Sequence, residues 1–74
     1  MKFDTATART AAEVVFEHPT AETNPYEVIE DYLTCGEDLG VDFDECVAAV
    51  RQGFKLKHEG KSFGEVLKEL SHFS

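Results

Sequence analysis

The stretch FDECVAAVRQGFKLKH, residues 43–58, indicates the fold more clearly than any other part of this sequence. Its large apolar residues recur at spacings of four, three and four, at Phe43, Val47, Val50 and Phe54. This spacing places them on one face of an α-helix, which would pack against a core. Acidic residues stand at the start of the stretch and basic residues at its end, as the helix dipole favours. We therefore predict a helix over 43–58, the longest in the chain.

Helix start signals recur along the rest of the chain. A capping box consists of a residue whose side chain caps the helix, followed three positions later by Glu or Gln. Four pairs fit this pattern: Thr10 with Glu13, Asn24 with Glu27, Asp42 with Glu45, and Ser62 with Glu65. Each pair is followed by apolar residues at helical spacing, and the first helix has an earlier alternative start at Asp4 or Thr5. We predict four helices, at approximately 5–17, 25–34, 43–58 and 63–72.

Proline and glycine residues bound these helices. Pro19 disfavours helical backbone at the preceding residue, so the first helix ends near His18. Pro25 suits the first helical position, where the missing N–H would have no partner within the helix. Gly36 fits the left-handed residue that follows many helices, and Gly60 would end the third helix. The links between helices are therefore short, and we expect the segment after Pro19 to be a polar linker.

Apolar residues give each of the other helices a face that would be buried. In the first helix these are Ala8, Ala12, Val15 and Phe16; in the second, Tyr26, Ile29, Tyr32 and Leu33; in the fourth, Phe63, Val66, Leu67, Leu70 and Phe73. In the third helix, Ala48 and Ala49 would let a neighbouring helix approach closely. The predicted fold class is therefore all-α, a small bundle of three to four short helices that forms a single domain over residues 1–74.

The size and composition of the chain limit the classes of protein to which it can belong. Seventy-four residues make a domain of marginal stability unless a partner, a second copy or a cross-link supports it. The longest apolar run, Val47 to Val50, is far shorter than a membrane span, and the N-terminus lacks the apolar segment of a secretory signal. Cys35 and Cys46 fit no metal or disulfide framework, so we expect two free thiols in a reducing cytoplasm.

Acidic residues are concentrated in the centre of the chain. The formal net charge is −8, and residues 10–50 contain eleven acidic residues and no Lys or Arg. Eight of those acids lie within residues 27–45. An anionic surface repels the phosphates of nucleic acids and of membrane lipids, so we expect neither as a direct ligand. A basic surface on another protein is the natural complement; the plainer alternative is a solvated face that maintains solubility.

Motifs of catalysis and metal binding are not found in the sequence. It has no GxSxG, HExxH or phosphate-binding GxxxxGK[ST] pattern, and we predict that the protein is not an enzyme. No calcium-binding loop fits, because neither Asp38 nor Asp42 as the first ligand places Gly at loop position 6. His18, His58 and His72 do not have zinc-ligand spacing. We therefore expect no metal and no cofactor.

The central acids lead to the first functional hypothesis, a small acidic module that binds a basic site on a partner protein. Carboxylates on a helix are spaced much like phosphates along a nucleic-acid strand, so such a face would fill a nucleic-acid-binding cleft. Small acidic helical proteins that act in this way resemble, as a class, phage-encoded inhibitors of host defence or transcription proteins. The candidate partner-binding residues are Glu27, Glu30, Asp31, Glu37, Asp38, Asp42, Asp44 and Glu45.

Two other hypotheses come from different features of the sequence. In the first alternative the protein is a homodimeric structural or regulatory protein without an enzymatic role, with Tyr26, Tyr32, Phe63 and Phe73 in the dimer seam. In the second it is a degenerate DNA-binding regulator, in which the third and fourth helices form a helix-turn-helix. The acidic residues at the front of the third helix weigh against the DNA-binding hypothesis.

Overall fold

The computed structural model describes residues 3–35 and 42–71, and within them every regular element is helical. These residues contain four α-helices, α1 (Thr5–Glu17), α2 (Pro25–Cys35), α3 (Phe43–His58) and α4 (Phe63–Ser71), and a 3₁₀ turn at Pro19–Glu22. The predicted all-α fold is confirmed, and each predicted helix end lies within one residue of the observed end. The predictions made for Gly36, Glu37, Asp38, His72 and Phe73 lie outside the described residues.

Helix α1 packs against α3, α4 and the 3₁₀ turn. The apolar stripe predicted for α1 includes only some of the residues that are buried in this helix. Its buried residues are Thr7, Ala8, Thr10, Ala11, Ala12, Val14 and Val15. Most of these side chains are small, so α1 is thin enough for its neighbours to pack around it on several sides.

Helix α1 begins at Thr5, and the prediction of a capping box at Thr10 is wrong. The carboxylate of Asp4 accepts the backbone N–H of Thr7 at 2.7 Å and caps the helix. This hydrogen bond stabilises the charged carboxylate and lowers the pKa of Asp4. Thr10 lies within the helix and is buried. The earlier cap prevails because the longer helix buries additional apolar residues such as Ala8.

The starts of α3 and α4 follow the predicted capping boxes. At α4 the box is complete: Ser62 Oγ accepts from the Glu65 N–H at 3.3 Å, and Glu65 Oε1 accepts from the Ser62 N–H at 2.9 Å. At α3, Asp42 Oδ1 accepts from the Glu45 N–H at 3.1 Å. These bonds satisfy N–H groups that have no partner within their own helix.

The ends of α1 and α3 also follow from the sequence. The N–H of His18 donates to the Val14 carbonyl at 2.8 Å and closes α1 just before Pro19. The segment predicted to be a polar linker is instead a 3₁₀ turn, and Ala21 within it is buried. After α3, Gly60 has a φ of 94°, the left-handed backbone expected at this position.

Helix α3 buries most of its predicted stripe and makes a close contact with α1. Val47, Val50 and Phe54 are buried, and Phe43 is half-buried. The tightest approach is at Gly53, where an added Cβ would lie 2.8 Å from Val15 Cγ2. Of the two alanines predicted to permit close packing, Ala49 is buried but Ala48 is only half-buried. The sequence did not predict this close contact, because a single glycine does not repeat at a helical spacing.

Helix α4 packs against α1 and α3. Val66 and Leu70 are buried, whereas Phe63, also predicted to be buried, leaves 39% of its surface exposed. The Phe63 ring packs edge-on against Phe16, with 5.7 Å between the ring centroids. The Phe3 N–H donates to the Leu70 carbonyl at 3.1 Å, which attaches the start of the described chain to α4.

Helix α2 packs against α3 and the 3₁₀ turn. Ile29 is buried, and Tyr32 and Leu33 are half-buried, as predicted. The prediction that Tyr26 is buried is wrong, since 53% of its surface is exposed. Pro25 is buried in its place. Positions 25 and 29 share a helical face, and position 26 points about 80° away from the middle of that face.

Candidate functional site

The exposed side of α2 carries three of the candidate carboxylates. Glu27, Glu30 and Asp31 are exposed. Because successive helical residues point about 100° apart, these three share an arc of about 140° with Tyr26. Ile29, on the opposite side, is buried. Helical periodicity therefore gathers these acidic groups on one surface instead of distributing them around the helix.

The start of α3 places a further carboxylate beside this arc. Helices α2 and α3 are in contact, and the ring centroids of Tyr26 and Phe43 lie 5.9 Å apart. Arg51 also lies over Tyr26, with 5.7 Å between its guanidinium carbon and the ring centroid. Asp44 precedes Arg51 by about two helical turns and therefore lies on the same side of α3. Glu45 points about 100° away from Asp44, on the side away from α2.

The acidic face, as we use the term, consists of Glu27, Glu30, Asp31 and Asp44. Among residues 3–35 and 42–71, no ion pair involves these groups or the other two described candidates, Asp42 and Glu45. Glu27 accepts a hydrogen bond from the Asn24 side-chain amide at 3.1 Å. Asp42 is occupied as the cap of α3. The carboxylates of the acidic face are therefore exposed and form no ion pair with a described residue, although Arg51 lies at their edge, whereas Asp42 has a structural role.

Two of the lysines that follow the acidic block along the chain, Lys57 and Lys61, are engaged elsewhere. Lys57 reaches the end of α1, where its amine donates to the Val15 carbonyl at 3.4 Å and lies 5.3 Å from the centroid of Phe16. A cation at this position also complements the negative end of the α1 dipole. Lys61 pairs with Glu69 at 3.2 Å. Neither lysine neutralises the acidic face.

A second acidic group, which the sequence did not reveal, lies where α1 meets α2. The Tyr32 hydroxyl donates to Glu13 Oε1 at 2.6 Å, and the Tyr32 ring lies edge-on to His18, with 5.9 Å between the ring centroids. The hydrogen bond to Glu13, then burial and the charges of Glu13 and Glu17, raise the pKa of Tyr32 to about 12. The sequence pattern assigned Glu13 to a helix cap, so its contact with α2 was found only in the tertiary structure.

Reactive groups are few in the part of the chain that the structure describes. Burial raises the pKa of the Cys46 thiol to about 11, and its side chain is fully buried. At neutral pH this thiol is therefore protonated and inaccessible. Residues 3–35 and 42–71 hold no group of three or more His, Cys, Asp or Glu side chains placed to share a metal ion. No helix among these residues has the length and apolar character needed to cross a lipid bilayer.

Comparison with known proteins adds no function to this arrangement. No protein-family model matches the chain, and no curated protein and no solved structure is similar to it. A functional proposal therefore depends on the acidic face itself. Exposed carboxylates without internal ion pairs are suited to bind cations, and on a protein partner those cations are Lys and Arg side chains.

Proposed function

We propose that the protein is a small acidic binding module that engages a basic surface of a partner protein through the acidic face. The supporting observation is that Glu27, Glu30 and Asp31 share one exposed side of α2 and form no ion pair with the described basic residues. Like charges held on one rigid surface produce a stronger local potential than the same charges dispersed over the molecule. Such a potential attracts a basic partner and accelerates association.

A nucleic-acid-binding protein is the partner class that fits the acidic face best. Side chains one helical turn apart have Cβ atoms about 5–6 Å apart, which resembles the spacing of neighbouring phosphates along a strand. Glu27 has this relation to both Glu30 and Asp31 on α2. The module would act as an inhibitor that occupies the nucleic-acid-binding site of its partner, in the manner of phage-encoded inhibitors of host defence or transcription.

Affinity purification from a lysate at low and high salt tests this proposal. One variant, Glu30→Gln/Asp44→Asn, removes two charges from the acidic face. A matched variant, Glu17→Gln/Glu59→Gln, removes two exposed carboxylates from elsewhere. We expect wild type and the matched variant to retain a basic nucleic-acid-binding protein at low salt. The acidic-face variant should lose it, and high salt should release it from all three, because salt screens exposed charges.

Competition experiments separate the nucleic-acid-mimicking role from other kinds of basic-surface binding. With the captured partner purified, added nucleic acid should displace wild-type protein from it. Failure to recover any basic partner at low salt would contradict the proposal, and so would equal losses in the two double variants. Displacement by salt but not by nucleic acid would keep the acidic module and remove the inhibitor mechanism.

A homodimeric regulatory protein is the second candidate function, and the exposure of Tyr26 and Phe63 favours it. The two rings lie in different surroundings: Tyr26 packs against Phe43, and Phe63 packs against Phe16. Size-exclusion chromatography with light scattering distinguishes the candidates, since a monomer throughout the micromolar range excludes the dimer. A gel-shift assay with duplex DNA at low salt completes the comparison, and we expect no shift.

A further inference from the structure

Tyr26, which is exposed, and Phe43, which is half-buried, form an aromatic pair at the edge of the acidic face. Tyr26 is 53% exposed, and its ring meets that of Phe43 at an interplanar angle of 37°. Tyrosine has a large apolar body and a polar tip, and it is enriched in the centres of protein-binding surfaces. Carboxylates adjoin both rings along the chain, at Glu27 after Tyr26 and at Asp42 and Asp44 around Phe43.

Arg51 shows what kind of group this aromatic pair binds. Its guanidinium carbon lies 5.7 Å from the centroid of the Tyr26 ring, within the range of a cation–π interaction. Arg51 is also the first Lys or Arg after Arg9, and it is located where the acidic face meets the aromatic ring. The Tyr26 ring therefore already holds a guanidinium supplied by the protein itself.

We infer that the Tyr26 ring is the anchor for an arginine- or lysine-rich segment of the partner, and that Arg51 occupies this anchor in the free protein. The inference rests on the proposed function, because it names a specific contact within the proposed interface. Charge complementarity selects the occupant, since the carboxylates beside the rings attract cations. A second copy of the chain is a less suitable occupant, because its own acidic face would lie against this one and be repelled by it. Arg51 is thus an internal competitor that the partner displaces.

Binding of a short fluorescent polyarginine peptide at low salt, measured by fluorescence anisotropy, tests this inference with two pairs of variants. Tyr26→Leu removes the aromatic ring and keeps an apolar side chain, while Tyr26→Phe keeps the ring. Arg51→Gln removes the competing cation. Lys68→Gln removes the same charge from α4, which packs against α1 and α3. Circular dichroism establishes that each variant is folded.

The two pairs of variants are expected to change affinity in opposite directions. Tyr26→Leu should weaken binding by about two- to fivefold, the strength of an exposed cation–π contact. Tyr26→Phe should stay within about twofold of wild type, because it retains the π face. Arg51→Gln should strengthen binding about two- to fivefold more than Lys68→Gln does, since only Arg51 occupies the ring.

Several outcomes would overturn the inference, and they are distinguishable from failure of the proposed function. Equal affinity of wild type and Tyr26→Leu, or equal gains in Arg51→Gln and Lys68→Gln, would overturn it. If Glu30→Gln/Asp44→Asn loses binding while Tyr26→Leu does not, the proposed function remains and the anchor does not. If wild type fails to bind polyarginine, both are wrong. If the wild-type protein is a dimer and Tyr26→Leu dissociates it, the ring contacts a second copy of the chain, and the inference is also overturned.

Discussion

Tyr32 connects α1 and α2 through a single hydrogen bond between side chains. The bond to Glu13 is short, at 2.6 Å, and its acceptor is a carboxylate, which makes it stronger than a bond between neutral groups. It exists only while the phenol carries its proton. Ionisation of Tyr32 would therefore remove the bond and place two negative charges next to each other, at a cost in folding stability.

The Tyr32→Phe variant should be less stable than wild type by about 1–2 kcal/mol at neutral pH, the lower part of the range for a hydrogen bond to a charged group, because this bond is only partly buried. The pKa of Tyr32 is raised from 10.0 to about 12 in the folded protein, so the folded state binds this proton more tightly than the unfolded state. The stabilisation is complete below pH 10.0 and is lost as the pH rises toward 12. Urea unfolding followed by circular dichroism should show a smaller difference between the two proteins at pH about 11 than at pH about 7.

The matched control for this measurement is Tyr26→Phe, because the side chain of Tyr26 is 53% exposed. Its free energy of unfolding should equal that of wild type. The buried Cys46, whose pKa is raised to about 11, lowers the stability of all three proteins alike at high pH and cancels in the comparison. A difference between wild type and Tyr32→Phe that grows with pH would contradict the prediction.

The contact between α1 and α3 depends on the missing side chain of Gly53. Glycine within a helix costs about 1 kcal/mol relative to alanine, so its presence in α3 needs a compensating gain. An added Cβ would lie 2.8 Å from Val15 Cγ2 and 3.6 Å from side-chain atoms of Val66 and Leu70. Three helices therefore meet at this point, and the small residue permits their close packing.

The Gly53→Ala variant should have a free energy of unfolding about 1–2 kcal/mol below that of wild type. Overpacking costs about 1–3 kcal/mol, and the higher helix propensity of alanine offsets part of that loss. Gly64→Ala is the control, since no atom lies within 4 Å of its added Cβ; it should be neutral or stabilising by up to about 1 kcal/mol. Urea unfolding compares the two, and effects of the same sign would show that α1 and α3 are not tightly packed at Gly53.

The start of α4 provides a test of the capping box. Ser62→Ala removes the side-chain acceptor for the Glu65 N–H and should lower the free energy of unfolding by about 1 kcal/mol. In the control, Ser71→Ala, the lost hydroxyl donates to the Leu67 carbonyl within the helix, so the change should be under about 0.5 kcal/mol. Thermal or urea unfolding measures both; equal effects would mean that the capping box does not stabilise α4.

The molecule as a whole carries a net charge of −8, and among residues 3–35 and 42–71 little of the negative charge is paired. Within these residues Lys61 pairs with Glu69, and the His58 ring shares a hydrogen bond with Glu22. Repulsion among the remaining carboxylates opposes the compact state. This repulsion is a cost of leaving the acidic face without ion pairs to the described residues, and it should depend on ionic strength.

The Asp31→Asn variant should be more stable than wild type by about 0.2–0.5 kcal/mol at low salt, because it relieves a like-charge contact with Glu27 one turn earlier. The gain should disappear as the Debye length falls from about 30 Å at 0.01 M salt to about 3 Å at 1 M. Glu69→Gln breaks the ion pair with Lys61 and should have the opposite sign. Urea unfolding at the two salt concentrations measures both. A loss of stability in Asp31→Asn would indicate that Asp31 has an attractive partner.

Short-range sequence signals predicted the helices and their ends well, and they failed where two such signals competed. Pro19, Gly60 and Ser62 act on their own helix ends, and all three ends lie where the sequence placed them. Thr10 has the spacing of a cap, but Asp4 supplies an earlier one. Tyr26 has the spacing of a core residue, but the face of α2 that packs against the bundle is centred elsewhere. Spacing identifies an apolar face only to within about one residue step of 100°.

From the amino-acid sequence alone follow the helical class, the ends of the helices and the concentration of negative charge. Capping, proline geometry and periodicity act over a few residues, and charge is counted directly. Packing decided that α1 is buried on several sides, that Tyr26 faces solvent beside Arg51, and that Tyr32 bonds to Glu13. These features depend on contacts between residues that are distant in the chain, and no local spacing carries information about which helix faces which.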